Sequence, residues 1–555
     1  MSPAGRNQNN YLVHGGILAV ASVLVRLIGM IYRVPMANII GSEGSGYYAH
    51  AYSVYNILLL LSSYSLPLAV SKMVSARVSA GRWRETGRVL TVAMLFGTAI
   101  GAVFGLICWF GADFFCTKVL NAPMAAVPLR WMAPTVFIMA VLGVLRGFYQ
   151  GFQTTIPTAI SQILEQIVNA FVSVGMAAVL FQYGTELSAS TGVREYAAAF
   201  GAAGGTIGTG AGALTALLFC AVVFFFFLKR LTANIRNDGH TKVRTYQKLF
   251  TILMATAVPV ILSTAAYNCI DLIDAGIFNA HMAGRGFAAE AYSATWGDYS
   301  NAFLLLVHLP VALAAAIASA LVPSLTASFS AHDERETLSK ISLTVRITLV
   351  LAIPCAFGMM TIGGNLASLL FSSIDDEARL YLAVGGIAII FYSLSTVTNA
   401  ILQGINEMGR PVLHALISLV AHTALLVLLL YVFKIGIFAV IVSYVLFSLV
   451  MSVLNLVSIY RLTGYRMDPI RAIAIPAGLS LIVVLICFLV SFITTRFLTG
   501  NRANLVIVLV SVVLGAAVYF IGILYSGVFT RKQLEQLPFG KHIAAISDRL
   551  HLSGQ

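Results

Sequence analysis

The sequence predicts an all-α integral membrane protein of about fourteen transmembrane helices, arranged as two pseudo-symmetric six-helix lobes followed by two C-terminal helices. Three observations carry that prediction. Of 555 residues, 59% are hydrophobic and 10% charged, with a mean hydropathy of +0.90, whereas soluble domains carry about a quarter charged residues. Apolar runs long enough to cross a hydrocarbon core of about 30 Å, which takes roughly 20 helical residues, succeed one another along nearly the whole chain. Short landmarks also recur in the same order in the two halves.

The predicted helices lie near 12–40, 46–71, 89–112, 126–149, 157–183, 196–228, 249–277, 297–325, 341–373, 380–404, 411–433, 435–460, 472–495 and 503–528. The N-terminal residues run into an apolar stretch that holds arginines and lacks a small-residue cleavage site, so the first helix is expected to be retained. The glycine-rich segment 201–213 suits close helix packing in lipid. Cys108, Cys116, Cys220, Cys269, Cys355 and Cys487 lie mostly within apolar runs and form no close pairs, which reads as small core residues rather than zinc or redox chemistry.

A net charge of +13 would suggest nucleic acid in a soluble protein, but here the basic residues lie mostly between apolar runs and read as membrane topology. With a cytoplasmic N-terminus, 24 of the 34 Lys and Arg residues fall on the cytoplasmic side, 8 outside and 2 within the membrane. Both termini are therefore expected in the cytoplasm, with the membrane crossed many times. The cytoplasmic set includes Arg77, Arg82, Arg84, Arg88, Arg146, Arg244 and Arg346.

The repeat rests on three landmarks. Ala51 to Ser53 (AYS) returns at Ala291 to Ser293, and Leu66 to Ala69 (LPLA) returns as LPVA at Leu309 to Ala312. YQGFQTTIPTAIS from Tyr149 matches LQGINEMGRPVLHALIS from Leu402 in its Gln-Gly, short polar turn, Pro and new apolar helix. Shared order and spacing predict homologous bundles: an N-terminal lobe with its basic linker at 1–240, a second lobe at 241–465, a helix pair at 466–530 and a cytoplasmic tail at 531–555. Both lobes start with the same polarity, which places the symmetry axis along the membrane normal and the substrate between them.

Charges inside predicted helices are the candidate functional residues, because a charge at the bilayer centre costs at least about 2.5 kcal/mol and usually faces protein or water. Arg26 and Arg33 stand seven residues apart, on one face of the first helix and about 10 Å apart along its axis. They could clamp phosphate oxygens; the plainer alternative is that Arg33 snorkels and Arg26 pairs with a carboxylate. Gln162, Glu165 and Asn169 share one face of the fifth helix, as partners for an arginine, a lining for sugar hydroxyls or a proton site, with a structural or lining role favoured. On the seventh helix Asp271 and Asp274 could hold a coupling cation, or Asp274 could simply be solvated. His308, His414 and His422 lack zinc spacing and read as ordinary hydrogen-bonded histidines. No metal and no cofactor are predicted.

No phosphate loop is present, since Gly540 and Lys541 are followed by His542 and lack the glycine loop. No extramembrane segment is long enough for a glycosyltransferase domain, so an enzyme is not expected. The segments YRVPMANIIGSEGSGYY from Tyr32, LPLAVSKMVSARVSAG from Leu66 and RGFYQGFQTTIPTAISQILEQIV from Arg146 resemble the SpoVB and YtgP branch of polysaccharide transporters. That branch is related to the MurJ lipid II flippases within the multidrug, oligosaccharidyl-lipid and polysaccharide exporter superfamily. The resemblance spans nearly the whole chain and implies two six-helix lobes, a central cavity and a final helix pair bordering a groove for a polyprenyl tail. It implies that Arg26 and Arg33 correspond to the basic cavity residues of the first helix, although their spacing differs from that of lipid II flippases. The family's sodium site pairs a seventh-helix aspartate with polar eleventh-helix ligands; here that helix offers His414, Ser418, His422 and Thr423 without a carboxylate.

The function expected on this basis is translocation of an undecaprenyl-pyrophosphate-linked glycan, lipid II being the favoured case, by alternating access. The partners are then a lipid-linked anionic glycan and membrane lipids, with no nucleic acid. A monovalent cation or the membrane potential stays open as the energy source. The alternatives are a cation-coupled multidrug or metabolite exporter, a transporter of another lipid-linked polysaccharide unit, an intramembrane sugar transferase and a non-transporting assembly scaffold.

Overall fold

The computed structural model describes residues 3–240, 243–530 and Gln533. Side chains are described from Ala21 onward, apart from 22–23, 259–260, 262–267, 319–321 and 323. Apart from Gln533, the tail 531–555 lies outside the described residues, as do the side chains of Arg6 and Lys242. All regular structure among the described residues is helical.

The chain divides into two compact units, Met1–Ser300 and Asn301–Gln555. The first holds α1 (Pro3–Leu59), α2 (Leu66–Val78), α3 (Trp83–Phe110), α4 (Ala126–Gly151), α5 (Ile156–Thr191), α6 (Tyr196–Arg236), α7 (Tyr246–Asn268), α8 (Ile270–Gly284) and α9 (Ala289–Asp298). The second holds α10 (Leu306–Ser330), α11 (Glu334–Leu370), the short α12 (Tyr381–Gly385), α13 (Ala388–Gly404), α14 (Gly409–Leu428), α15 (Ile437–Thr463), α16 (Ile475–Phe497) and α17 (Gly500–Tyr525). The compact units and the sequence repeat divide at different points: α7, which follows the basic linker, gives Leu249, Leu253 and Ala257 to a core built from α2, α3, α4 and α6.

Among the described residues, 11 helices are long and apolar enough to cross a membrane, or up to 12 if the pair Glu377–Gly385 and Ala388–Gly404, bent by 51°, forms one span. This count leaves fourteen unconfirmed, because it takes in described residues only and so omits α7, whose side chains 259–260 and 262–267 lie outside them. The stretch Leu24–Val78 counts once, yet its 55 residues would be about 80 Å long as one straight helix, far more than one bilayer core. Its backbone breaks at Gly41 (φ 71°, ψ −178°), a conformation that glycine takes without steric cost, and again at a π-helical turn over Leu60–Tyr64. The predicted seventh helix is split at Cys269 between α7 and α8. Large side chains stand exposed along the helices, among them Leu485, Phe488 and Phe497 of α16 and Val513 of α17. Such continuous apolar surface requires lipid, and the protein is a multi-span membrane protein.

The repeated landmarks have matching local backbones. LPLA at Leu66 and LPVA at Leu309 each follow a π-helical segment, Leu60–Tyr64 and Tyr299–Leu305. After α4 and α13 the turns agree residue by residue: Gln153 and Asn406 take φ of 61° and 65°. Their amides donate to the Gln150 and Gln403 carbonyls, and the following amides, of Thr154 and Glu407, donate to Tyr149 and Leu402. The same Gln-Gly-x-polar string thus closes its helix in the same way twice.

In the second unit α16 and α17 pack on α11, where Val350 and Ile362 meet Val483, Cys487, Ile507, Tyr519 and Ile523. The Tyr519 hydroxyl donates to the Val350 carbonyl at 2.7 Å.

Candidate functional site: a polar interior in the first unit

The site begins with how closely α6 approaches α5. A Cβ at Gly204 would lie 2.2 Å from the Met176 carbonyl oxygen, one at Gly208 2.1 Å from Ser173 Oγ, and one at Gly212 2.4 Å from the Glu165 carbonyl oxygen. The glycines are four residues apart, so they form one helix face and let the backbones touch, as small residues do in membranes. This contact sets the position of the polar face of α5. Asn169 donates from Nδ2 to the Tyr32 hydroxyl at 3.2 Å, and Ser173 Oγ lies 2.8 Å from both Asn169 Oδ1 and the Gly205 carbonyl.

Glu165 is held by Arg146, whose Nη2 lies 2.7 Å from Glu165 Oε2 and whose Nε donates to Ser161 Oγ at 2.9 Å. The two side chains are 9% and 16% exposed. Of the roles open to Glu165 in the sequence, the structure shows the arginine partnership, and the partner comes from α4 rather than from the first helix. Arg146, counted with the loop cations, is corrected to a buried residue within α4. It ends an apolar run whose last turn packs against Pro67 and Val74 at Gly147 and Gly151, so its head turns inward. Arg346, also counted as a loop cation, is buried in α11 and donates to the Val528 carbonyl at 3.0 Å.

Arg33 is engaged differently. Its guanidinium carbon lies 5.5 Å from the Tyr48 ring centroid and 6.0 Å from that of Tyr52. Tyr48 and Tyr52 stack at 5.8 Å, and Tyr52 meets Tyr55 at 5.6 Å. These tyrosines lie at i, i+4 and i+7 of the α1 segment after Gly41, which turns their rings toward one face. Among the described residues no carboxylate forms an ion pair with Arg26 or Arg33. The guanidinium is thus held against tyrosine rings rather than against a carboxylate, and a guanidinium so placed carries N–H donors of the kind that fork onto an oxyanion. The tyrosines went unrecognised in the sequence, although the spacing of 48, 52 and 55 was the available signal.

The remaining predicted residues are placed as follows. Arg26 is exposed on α1 and Arg33 is partly buried. Gln162 has its Oε1 buried without a hydrogen-bond partner among the described residues. Asp271 and Asp274 are reversed relative to the solvated alternative: Asp271 is exposed and Asp274 is 1% exposed. The helix restarts at Ile270, and its inward face carries Asp274, Ala275, Phe278 and Asn279. No group of three or more His, Cys, Asp or Glu side chains suited to a metal ion occurs among the described residues.

The basic linker is pinned rather than free. Asp238 accepts from the Arg84 amide at 2.7 Å and the His240 amide at 3.0 Å, and these bonds hold its carboxyl down to about 2. Glu85, in an ion pair with Arg77 at 3.3 Å, accepts from the Arg244 amide at 3.2 Å.

Membrane-length helices around a buried network of arginine, carboxylate, amide and tyrosine groups define a polytopic membrane protein of the transporter class. The chain belongs to the polysaccharide biosynthesis protein family, whose model matches residues 14–329. It is 26% identical over 427 residues to the lipid II flippase MurJ of Bacillus subtilis (strain 168), covering 74% of this chain and 75% of that one. It is 23% identical to the stage V sporulation protein B of the same organism, over 94% of this chain and 96% of that one. A solved structure titled as lipid II flippase MurJ in an inward closed conformation superposes with a TM-score of 0.61 at 14% identity, covering 91% of this chain and 97% of the other. The motif-based resemblance to SpoVB-type transporters and their MurJ relatives is thus shown, and the fold is that of the same exporter superfamily.

Proposed function

We propose that this protein is a flippase that carries an undecaprenyl-pyrophosphate-linked glycan, lipid II being the favoured substrate, across the bacterial cytoplasmic membrane by alternating access. One relative supports the chemistry by its printed function, that of a lipid II flippase. The observation that carries the reading is Arg33, a partly buried cation in a membrane helix that is seated on tyrosine faces and is in no described ion pair. A pyrophosphate headgroup is the class of ligand that such a group serves, since its oxygens accept the guanidinium fork.

In this reading Arg33 and Arg26 compensate the headgroup charge, Gln162 and Asn169 offer hydrogen bonds to sugar hydroxyls, and Glu165 positions α4 against α5 through Arg146. The polyprenyl tail stays in the bilayer. Both termini face the cytoplasm, and the lobes are those of the sequence repeat, 1–240 and 241–465. Membrane potential, worth about 2.3 kcal/mol per charge per 100 mV, or a monovalent cation near Asp271 and Asp274 supplies direction. The protein performs transport and no covalent chemistry.

The test is reconstitution of the full chain into vesicles with fluorescent lipid II, with other polyprenyl-pyrophosphate glycans and, separately, with cationic drugs. Protein-dependent leaflet exchange of the lipid-linked glycans supports the proposal. Drug movement without lipid exchange favours the multidrug alternative and refutes it.

A further inference from the structure

Two cationic stretches that lie 154 to 159 residues apart in the chain are tied to each other at one end of the first unit. The Arg84 amide donates to Asp238 Oδ2 at 2.7 Å, the Arg244 amide to Glu85 Oε1 at 3.2 Å, and Arg88 Nη1 to the Arg244 carbonyl at 2.8 Å. From Lys72 to Arg88 and from Lys229 to Lys248 the described side chains include ten Lys and Arg against two carboxylates, Glu85 and Asp238. Both carboxylates are buried, at 2% and 5% exposure. Glu85 takes up Arg77 and Arg82 at 3.3 and 3.7 Å, and Asp238 takes up the His240 ring at 2.7 Å as well as its two amides.

The internal bonds thus engage both negative groups and leave a positive outer face. Lys72, Arg84, Arg236, Arg244 and Lys248 are exposed and in no ion pair among the described residues. Membrane insertion asks for cations in such loops, but it does not ask for the carboxylates to be turned inward or for the two stretches to be clamped together. Like charges gathered in this way repel one another until an anion meets them from outside. The neighbouring side chains show where that anion lies. In α6 Phe225, Phe226 and Leu228 stand exposed directly before the exposed Lys229 and Arg230, and in α7 Tyr246 and Phe250 stand exposed on either side of Lys248. Arg88 sits over the Tyr246 ring, 5.1 Å from its centroid. Apolar rings exposed on membrane-length helices face lipid, and tyrosine marks its boundary with water. The cations therefore stand at headgroup depth, where phospholipid phosphates are the nearest anions.

We propose that the docked linker and the turn between α2 and α3 form one binding surface for the headgroups of anionic phospholipids. Arg84, Arg236 and Arg244 are its contacts, and Asp238 and Glu85 are the inward ties that hold the backbone of this surface in place. Clusters of about four to eight cations beside a spanning helix attract anionic leaflets in this way. The surface fastens the linker between the two sequence repeats to the membrane whatever the cargo is.

The test places the full chain in phosphatidylcholine vesicles that carry a trace of spin-labelled phosphatidylglycerol or, separately, spin-labelled phosphatidylcholine, and reads the fraction of each label immobilised by the protein. The wild type is expected to favour the phosphatidylglycerol label at low salt and to favour it less at high salt. The triple variant Arg84→Gln, Arg236→Gln, Arg244→Gln removes three heads whose side chains make no described bond, and it keeps the backbone bonds to Asp238 and Glu85. Its preference ratio is expected to be about fivefold lower, the worth of one such cation. Equal immobilisation of the two labels by the wild type overturns the proposal without recourse to any variant. A triple variant with the wild-type ratio overturns it as well. So does an equal loss in Lys434→Gln, Arg502→Gln, which neutralises two exposed cations of the second unit, since the preference would then follow total charge. Inorganic phosphate added at constant ionic strength is expected to leave the ratio unchanged; a preference that phosphate abolishes assigns the surface to a soluble anion and also overturns the proposal.

Discussion

Replacing Arg146 by Met strands the Glu165 carboxylate among buried neighbours, and replacing Glu165 by Leu strands the guanidinium. The pair is 2.7 Å apart with both side chains largely excluded from solvent, so each single change should cost about 3 to 5 kcal/mol, the range for an uncompensated buried charge. That is a fall of about two to four orders of magnitude in the folded-to-unfolded ratio. The double variant removes both charges together. What remains lost is the bond from Arg146 Nε to Ser161, about 1 kcal/mol, because Ser161 keeps its bond to the Thr158 carbonyl at 2.8 Å. The double variant should therefore be more stable than either single one, with a coupling of several kcal/mol. The assay is equilibrium unfolding in mixed detergent micelles followed by tryptophan fluorescence. All four tryptophans, Trp83, Trp109, Trp131 and Trp296, belong to the first unit, so the signal reports the unit that contains the pair. Additive losses, with the double variant the least stable, would refute the pair as a closed structural unit.

Three further outcomes follow from the same geometry. Gly208→Leu drives a side chain into Ser173, where even a Cβ would be 2.1 Å from Oγ; a loss of about 3 kcal/mol or failure to fold is expected, read by the same unfolding assay, and wild-type stability would contradict the close contact of α5 and α6. Gln153→Gly relieves a left-handed backbone (φ 61°) and should stabilise the protein by about 1 kcal/mol; a destabilised variant would show that the Gln153 side chain matters more than its backbone. Asp238, held at about 2 by the Arg84 and His240 amides, is depressed from the ordinary value of about 3.9. Its contribution to linker docking is thus complete above about pH 4 and lost as pH falls toward 2. Hydrogen exchange at the Arg84 amide should accelerate across that window in the wild type, and Asp238→Asn should exchange fast already at pH 6.

The helical membrane architecture was legible because lipid leaves a chain few choices: apolar runs of spanning length must become helices with every backbone group satisfied internally. The turn after each Gln-Gly was legible for the same kind of local reason, and Gln153 and Asn406 confirm it with matching dihedral angles. Less visible was where an apolar run bends. Cys269 looks like an interior residue in a hydropathy profile, yet the helix breaks there, whereas the break at Gly41 falls in the gap expected between 40 and 46.

Side-chain direction near helix ends was the other hidden quantity. Arg146 and Arg346 stand close enough to helix ends to read as loop cations, and their heads turn inward to Glu165 and to the Val528 carbonyl. Asp271 and Asp274 differ by three residues and were interchangeable in sequence; the restart of the helix at Ile270 buries the second and exposes the first. Arg33 was recognised as a membrane-embedded charge, but the tyrosines beneath it come from beyond the Gly41 break, a relationship that helical periodicity within one segment does not reveal.

The central claim, that Arg33 meets the phosphorylated headgroup during passage, is tested most directly by the rate of lipid II leaflet exchange in vesicles containing Arg33→Gln at matched protein content and fold. Loss of a charge-assisted contact should slow exchange about ten- to a hundredfold, with Arg33→Lys in between. Wild-type exchange in the glutamine variant would contradict the claim.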